Sequence, residues 1–191
     1  MNKKGMELSI NFIVILIITL IVFGGCLYIA ANLFKNIDKL KDQMDKQTQD
    51  RLESMITSGN EEVVIAFNKK EVKIGDAAIF GIGVLNTLGS QAEFSITIQP
   101  SQAFDIKGQQ LPNFGPSDKG GWRYLASDNI GSIENHDYKT RSIVLITSAN
   151  PVQGATYIFD VQVYYKTTPT STPTPYPLGA SSVKKIRVSI I

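Results

Sequence analysis

The feature that most constrains this chain is an uncharged apolar segment near its beginning. Residues 8–34, which start LSINFIVILIITLIVFGG, contain no Asp, Glu, Lys or Arg. At a rise of about 1.5 Å per residue, a helix of that length crosses a hydrocarbon layer of about 30 Å. The apolar part of a secretory signal is shorter, at about 7–15 residues. The segment therefore predicts a membrane-spanning helix that remains part of the protein.

The charges on either side of this segment predict its orientation. Lys3 and Lys4 precede it and Lys35 follows it. Lysines on a short N-terminal flank favour the cytoplasmic side, so the rest of the chain is expected outside. The chain is then a single-pass membrane protein with a cytoplasmic N-terminus before it reaches the cell surface. A second interpretation is lipid attachment at Cys26, which follows two glycines.

Residues 35–58 continue the helical pattern in amphipathic form. Polar and charged residues separate apolar positions spaced by three, four or eight, which are Ile37, Leu40, Met44, Leu52, Met55 and Ile56. The first strong stop signal is the sequence Ser58-Gly59-Asn60. We therefore expect one long helix over 6–58, with the membrane span at 8–34. The soluble half is interpreted as a coiled-coil stalk, a helix lying across its own domain, or a partner-binding face.

Residues 61–191 show the pattern of short β-strands separated by turn residues. The strand-like segments are EVVIAF, EVKIG, AAIFGIGVLN, AEFSITIQ, GWRYLA, RSIVLITS, GATYIFDVQVYY and VKKIRVSII. Several of them alternate apolar and polar residues, as half-buried strands do. The predicted fold class is α+β: one long N-terminal helix followed by an antiparallel immunoglobulin-like β-sandwich of about seven to eight strands. Trp122 is expected in its core or at a sheet edge.

A segment rich in Pro, Thr and Ser lies between the last two predicted strands. Residues 166–182 contain four of the eight prolines of the chain. Because proline lacks the backbone donor that a central strand needs, we predict an exposed loop here. The composition is also typical of O-glycosylated segments. The candidate acceptors are Thr167, Thr168, Thr170, Ser171, Thr172 and Thr174.

Composition and motifs argue against an enzyme or a nucleic-acid-binding protein. The net charge is +2, with basic residues scattered along the chain. The single cysteine rules out a disulfide or thiolate cluster within one chain. His136 is the one histidine, in a polar stretch that predicts a solvated turn. Gly81 and Gly83 lack the third glycine of a dinucleotide motif and indicate a bulge or close sheet packing. We expect no catalytic site, cofactor or metal.

The first residues resemble the class III signal of archaeal and bacterial type IV pilins and archaellins. In this resemblance KKG is the end of a leader, 1–5, and MELSINFIVILIITLIVF begins the mature helix. It implies cleavage between Gly5 and Met6 by a prepilin peptidase that reads Lys3 and Lys4. It also implies a helix that polymerises after leaving the membrane. The residues expected at those helix contacts are Glu7, Ile10, Phe12, Ile15, Leu20 and Phe23. The alternative is an uncleaved signal anchor.

Together these patterns predict a structural subunit of an extracellular type IV-like filament. Its partners would be further copies in a helical homopolymer, the type IV assembly machinery, and the membrane before assembly. An apolar helix leaving lipid must be covered by other protein surfaces, and repeated head-to-tail contacts that do not close produce a filament. The alternative function is a membrane-tethered cell-surface binding or adhesion protein, similar to archaellum stator accessory subunits, with the same sandwich.

Overall fold

The computed structural model describes residues 12–25, 28, 46–58, 61–147, 150–168, 170–177 and 182–191. The chain divides into two compact units, Met1–Leu40 and Lys41–Ile191. Within the first unit, residues 12–25 form helix α1. The leader 1–5, Glu7 and Ile10 lie outside the described residues.

The second unit contains helix α2 and nine strands. Helix α2 is Lys46–Ser58. The strands are β1 Val63–Ile65, β2 Lys69–Val72, β3 Ala77–Leu85, β4 Ala92–Phe104, β5 Ser127–Ile133, β6 Tyr138–Ile146, β7 Thr156–Lys166, β8 Thr174–Tyr176 and β9 Val183–Ile190. One sheet has the order β1-β3-β6, the other has the order β2-β9-β7-β4-β5, and β8 extends the second sheet by pairing with β7. All pairs are antiparallel except β2 with β9.

The two sheets enclose one hydrophobic core, so the predicted β-sandwich is present. The core combines Phe80 and Ile82 of β3 with Phe94 of β4 and Phe159 of β7, all fully buried. The alternation read in the sequence explains this, since successive side chains of a strand point to opposite faces. In β4 and β7 every second residue is buried over most of the strand. Trp122 is 3% exposed and belongs to the same core.

The first edge of the sandwich is formed by a segment that changes sheets. Strand β1 pairs with β3, and β2, only a few residues later, pairs with β9 in the other sheet. The connecting residues bond to both sheets: the Ala66 amide donates to Gly81 O at 3.2 Å, and the Arg187 amide donates to Asn68 O at 2.7 Å. This crossing leaves a corner of the sandwich open beside α2.

The predicted long helix is wrong. Where the structure is described, the helical segments are α1 and α2, and neither has the length and apolar composition required to cross a bilayer. The fold class of one helix over 6–58 with a membrane span at 8–34 is corrected to a β-sandwich with two short helices. The single-pass membrane localisation is corrected with it.

Several strands also differ from their predicted positions. GWRYLA is not a strand, because only Arg123 forms a bridge there, with Ile146. Strand β5 was not predicted, since SDNIGSI is polar and lacks clear alternation. Strand β4 runs on past Pro100, which is tolerated because the ladder with β7 is irregular between Pro100 and Gln102. Within the predicted loop 166–182, β8 pairs with β7.

Candidate functional site: an uncovered helix and a basic cleft

Helix α1 carries the described part of the predicted assembly surface. Phe12, Ile15, Leu20 and Phe23 are 61–66% exposed. Ile21 is 68% exposed, and it lies nine residues after Phe12, which places it on the opposite side at about 100° per residue. Apolar side chains are therefore exposed all around α1. Of the predicted processing and assembly residues, Lys3, Lys4, Gly5, Met6, Glu7 and Ile10 lie outside the described part of the chain.

Helix α2 packs across its own domain, one of the three interpretations of its amphipathic stripe. Leu52 is fully buried and Ile56 is 4% exposed, in a small second core with Val64 and Ala66. The helix lies close to β3 because Gly83 has no side chain. A Cβ at that position would lie 2.5 Å from Ile56 Cδ1 and 3.2 Å from Val64 Cγ2. The sequence predicted a bulge or close sheet packing at Gly83. In the structure, this glycine allows a helix to pack closely on the sheet.

A cleft of about 480 Å³ opens beside α2, where the chain crosses between the sheets. Its charged lining residues are Arg51 of α2, Lys69 of β2, Lys184 and Lys185 of β9, and Glu61. The Arg51 guanidinium lies 4.5 Å from the ring centroid of Phe67, a distance at which a cation is attracted to the ring face. We call this the basic cleft. No sequence motif marks it, because its cations come from three segments that only the fold brings together.

Each lysine that lines the basic cleft pairs with a carboxylate, but Glu61 is the one carboxylate of these that also lines the cleft. Lys184 Nζ lies 2.7 Å from Glu61 Oε2. Lys185 and Lys69 pair with carboxylates that do not line the cleft, those of Asp160 at 2.6 Å and Glu71 at 3.2 Å. Since most of these groups are substantially exposed, each pair contributes only about 0–1 kcal/mol. The lysines can therefore exchange their partners readily.

The Thr- and Pro-rich segment is fixed to the sandwich by one tyrosine. Tyr176 of β8 is 2% exposed, and its hydroxyl donates to Leu85 O at 2.6 Å. The Thr87 amide donates to the same hydroxyl at 3.1 Å. Burial raises the pKa of the Tyr176 hydroxyl, and the bonds with Thr87 lower it by a smaller amount. The candidate acceptors Thr167, Thr168, Thr170 and Thr172 are exposed, and Ser171 and Thr174 are half-buried.

The histidine-containing turn is organised by a buried asparagine. His136 is exposed, with a φ of 62° in the turn between β5 and β6. Asn86 is fully buried, and its Nδ2 donates to Ser90 O and Ile133 O, each at 2.8 Å. Its Oδ1 accepts from the Leu88 amide at 3.0 Å. Sequence reasoning did not identify Asn86, because an asparagine at a strand end is an ordinary turn residue.

Two buried polar atoms lie among the aromatic side chains of the core. Trp122 Nε1 and Tyr124 Oη have no hydrogen-bond partner within the described part of the chain. Burial raises the pKa of the Tyr124 hydroxyl. Both rings pack on Phe159 with centroid distances of 5.3 and 5.6 Å. Across the described ranges, His, Cys, Asp and Glu side chains form no group of three or more that could hold a metal ion.

No family model and no characterised protein sequence matches this chain. Solved structures with similar folds include the ASH/PapD-like domain 7 of human CEP192, at 12% identity and a TM-score of 0.36, covering 68% of this chain and 83% of that one. The CsuC–CsuE chaperone and tip adhesion subunit complex of Acinetobacter baumannii gives 12% identity and a TM-score of 0.36, with 68% and 56% covered. Self-complemented MyfA, the major subunit of Myf fimbriae from Yersinia enterocolitica, is 14% identical with a TM-score of 0.32. The match covers 68% of this chain and 98% of that one.

These similarities assign no family. The identification with archaeal type IV pilins and archaellins is wrong, because no helix among the described residues is long and apolar enough to cross a membrane.

Proposed function

We propose that this chain is a structural, non-enzymatic subunit of an extracellular, pilus-like filament, held together by contacts between the α1 helices of neighbouring copies. The exposure of α1 carries the proposal. Eleven large apolar side chains between Phe12 and Phe23 are 48–68% exposed in the single chain. A helix that is apolar on every side is stable only when its surroundings are apolar as well. Other copies of the same helix provide such surroundings.

The exposure of apolar side chains on all sides of α1 favours an assembly larger than a dimer. In a symmetric pair, each helix covers one side of the other and leaves the far side in water. Phe12 and Ile21 lie on opposite sides of α1 and are both more than half exposed. Covering both requires at least two neighbours per helix. Repeated contacts between two different patches, when they do not close into a ring, generate a filament.

The apolar area is large enough to drive such an assembly. Fully burying an exposed Val, Leu, Ile or Phe side chain contributes about 1.5–3 kcal/mol. For eleven side chains that are about half exposed, the gain is on the order of 10 kcal/mol per copy. This is comparable with the association cost of about 4–15 kcal/mol. Contacts of α1 therefore offset a cost of this size, and contacts of the sandwich would add to them.

The test compares charged variants of α1 with a matched variant of the sandwich. Ile15→Glu and Leu20→Glu each place a charge on α1. Ile106→Glu introduces the same charge at a residue that is 82% exposed in the second unit. Cell-surface material is sheared mechanically, and polymer is measured by sedimentation and electron microscopy. We expect polymer from the native chain and from Ile106→Glu, and loss of polymer from both α1 variants.

Two outcomes would contradict the proposal. Normal polymer from Ile15→Glu and Leu20→Glu would show that α1 is not the contact surface. Recovery of the native chain as single copies, released only by detergent, would refute the filament and favour a surface-held binding protein instead.

A further inference from the structure

We propose that the basic cleft binds an acidic saccharide, meaning a sugar that carries a carboxylate or a sulfate group. This inference goes beyond the filament function and does not depend on α1. It rests on the described contacts of α2, the crossing segment between β1 and β2, and β9.

The first argument is the charge of the lining. Four cations, Arg51, Lys69, Lys184 and Lys185, face the cleft, and Glu61 is the one carboxylate among the residues that line it. The acids that pair with Lys69 and Lys185 lie outside the lining. An anion entering the cleft therefore meets Arg51, together with lysines whose weak, exposed ion pairs it can replace. Such an arrangement attracts anions, and it attracts them more weakly as salt increases.

The second argument concerns Arg51 of α2. None of the ion pairs formed between described residues includes Arg51. Its guanidinium is held over the ring of Phe67, which limits its freedom without using its N–H groups. A guanidinium presents N–H groups in a fork that matches carboxylate and sulfate oxygens. Arg51 is thus a pre-positioned hydrogen-bond donor for an anion in the lining of the cleft.

The third argument is the size and mixed chemistry of the cleft, which suit a sugar better than a bare ion. A volume of about 480 Å³ lies within the range of about 300–1,000 Å³ found for small-molecule sites. Asn68 contributes an amide that both donates and accepts hydrogen bonds, as sugar hydroxyls require. Met55 and Phe67 contribute apolar surface for the sugar ring. A bare inorganic ion would leave both groups unused.

The ligand class is tested by calorimetric titration of the full chain with four probes. These are trigalacturonate, a sulfated heparin-derived disaccharide, uncharged maltotriose and a short single-stranded oligonucleotide. We expect trigalacturonate, the sulfated disaccharide or both to bind. The ratio of their affinities shows whether the cleft prefers a carboxylate or a sulfate group. Maltotriose should not bind. Oligonucleotide binding equal to that of the acidic sugars would overturn the proposal, because it would indicate general attraction of polyanions.

Three variants test the site itself. Arg51→Gln should weaken binding of the acidic sugar about tenfold, the lower range for a lost hydrogen bond to a charged group. Glu61→Gln should strengthen binding, because it removes the carboxylate from the lining and frees Lys184. Lys107→Gln removes an equal charge from an exposed loop outside the cleft and should leave the affinity unchanged.

Arg51→Gln is expected to weaken binding and Glu61→Gln to strengthen it, so the two variants distinguish an effect on the binding site from an effect on folding. A purely structural effect would weaken binding in both variants and lower their melting temperatures. Circular dichroism and thermal melting of each variant check the fold. Weaker binding by Glu61→Gln in a normally folded protein, or equal weakening by Lys107→Gln, would refute the basic cleft as the site. Absence of binding of both acidic sugars by the native chain would refute the ligand class.

Discussion

Replacing Gly83 with alanine should loosen α2 from the sandwich. The added Cβ would lie 2.5 Å from Ile56 Cδ1 and 3.2 Å from Val64 Cγ2. Carbon atoms in contact prefer about 3.5–4.0 Å. Ile56 is 4% exposed between helix and sheet, so its side chain has little free space into which to move. The substitution therefore forces either a poor rotamer of Ile56 or a displacement of α2.

The magnitude follows from two opposing terms. Overpacking a core by one methyl group typically costs about 1–3 kcal/mol. Gly83 does not have a positive φ, so alanine fits its backbone and restricts the unfolded chain, which stabilises by about 0.4–1 kcal/mol. We expect a net loss of about 1–2 kcal/mol in the free energy of unfolding. That is enough to measure by urea denaturation, with the single, buried Trp122 as the fluorescent probe.

The double variant makes the argument specific. Ile56→Val removes Cδ1, the atom nearest to the new Cβ, and by itself costs about 0.5–1.5 kcal/mol. In that background, Gly83→Ala should cost much less, giving a favourable coupling of about 1 kcal/mol. Gly115→Ala is the control, since its Cβ would meet only Ser101 O, at 3.7 Å. If Gly83→Ala costs as much free energy of unfolding in the Ile56→Val background as in the native chain, the close contact of α2 with β3 is refuted.

Three further predictions concern the sandwich and its Thr- and Pro-rich segment. Asn86→Ala should lower the free energy of unfolding by about 2–3 kcal/mol in urea, because buried Ile133 O loses its donor and the partly buried bonds to Ser90 O and the Leu88 amide are lost as well. Tyr176→Phe should cost about 1–2 kcal/mol at neutral pH. Because burial raises the pKa of Tyr176, its contribution is present below the ordinary pKa of about 10 and is lost as the pH rises further, since the unfolded phenol ionises first. Alkaline unfolding, followed by tryptophan fluorescence, should therefore be less pH-dependent in Tyr176→Phe. Finally, if the exposed threonines carry sugars, the tryptic peptide of residues 167–184 from native material should be heavier by hexose units than the same peptide from a host without O-glycosylation; equal masses would contradict the modification.

The strands that alternate apolar and polar residues were predictable from the sequence, and the others were not. In β7, Tyr157, Phe159, Val161 and Val163 are buried as the period of two requires. The segment GWRYLA has the composition of a strand, but its aromatic side chains fill the core from an irregular loop. Composition therefore indicated the burial of Trp122 correctly and its secondary structure incorrectly.

The helices show a different limit of sequence reasoning. A continuous run of helix-compatible residues does not determine whether one helix or two form, because that depends on what each segment packs against. Leu52 and Ile56 of α2 pack on a three-stranded sheet within their own unit. Nothing in residues 46–58 distinguishes that sheet from a partner protein. The basic cleft was likewise invisible, since Arg51 and Lys184 are far apart in sequence and are brought together by the crossing of β1 and β2 between the sheets.

Because α2 contributes both a packing face and a wall of the cleft, stability and binding should be coupled through it. Ile56 rests over Gly83, while Arg51 and Met55 of the same helix line the basic cleft. A displacement of α2 by Gly83→Ala would therefore shift the Arg51 guanidinium relative to Lys184, although neither residue is changed. The affinity for an acidic sugar should fall in Gly83→Ala and recover in the double variant with Ile56→Val. Unchanged affinity in a destabilised Gly83→Ala protein would show that the position of α2 does not set the geometry of the cleft.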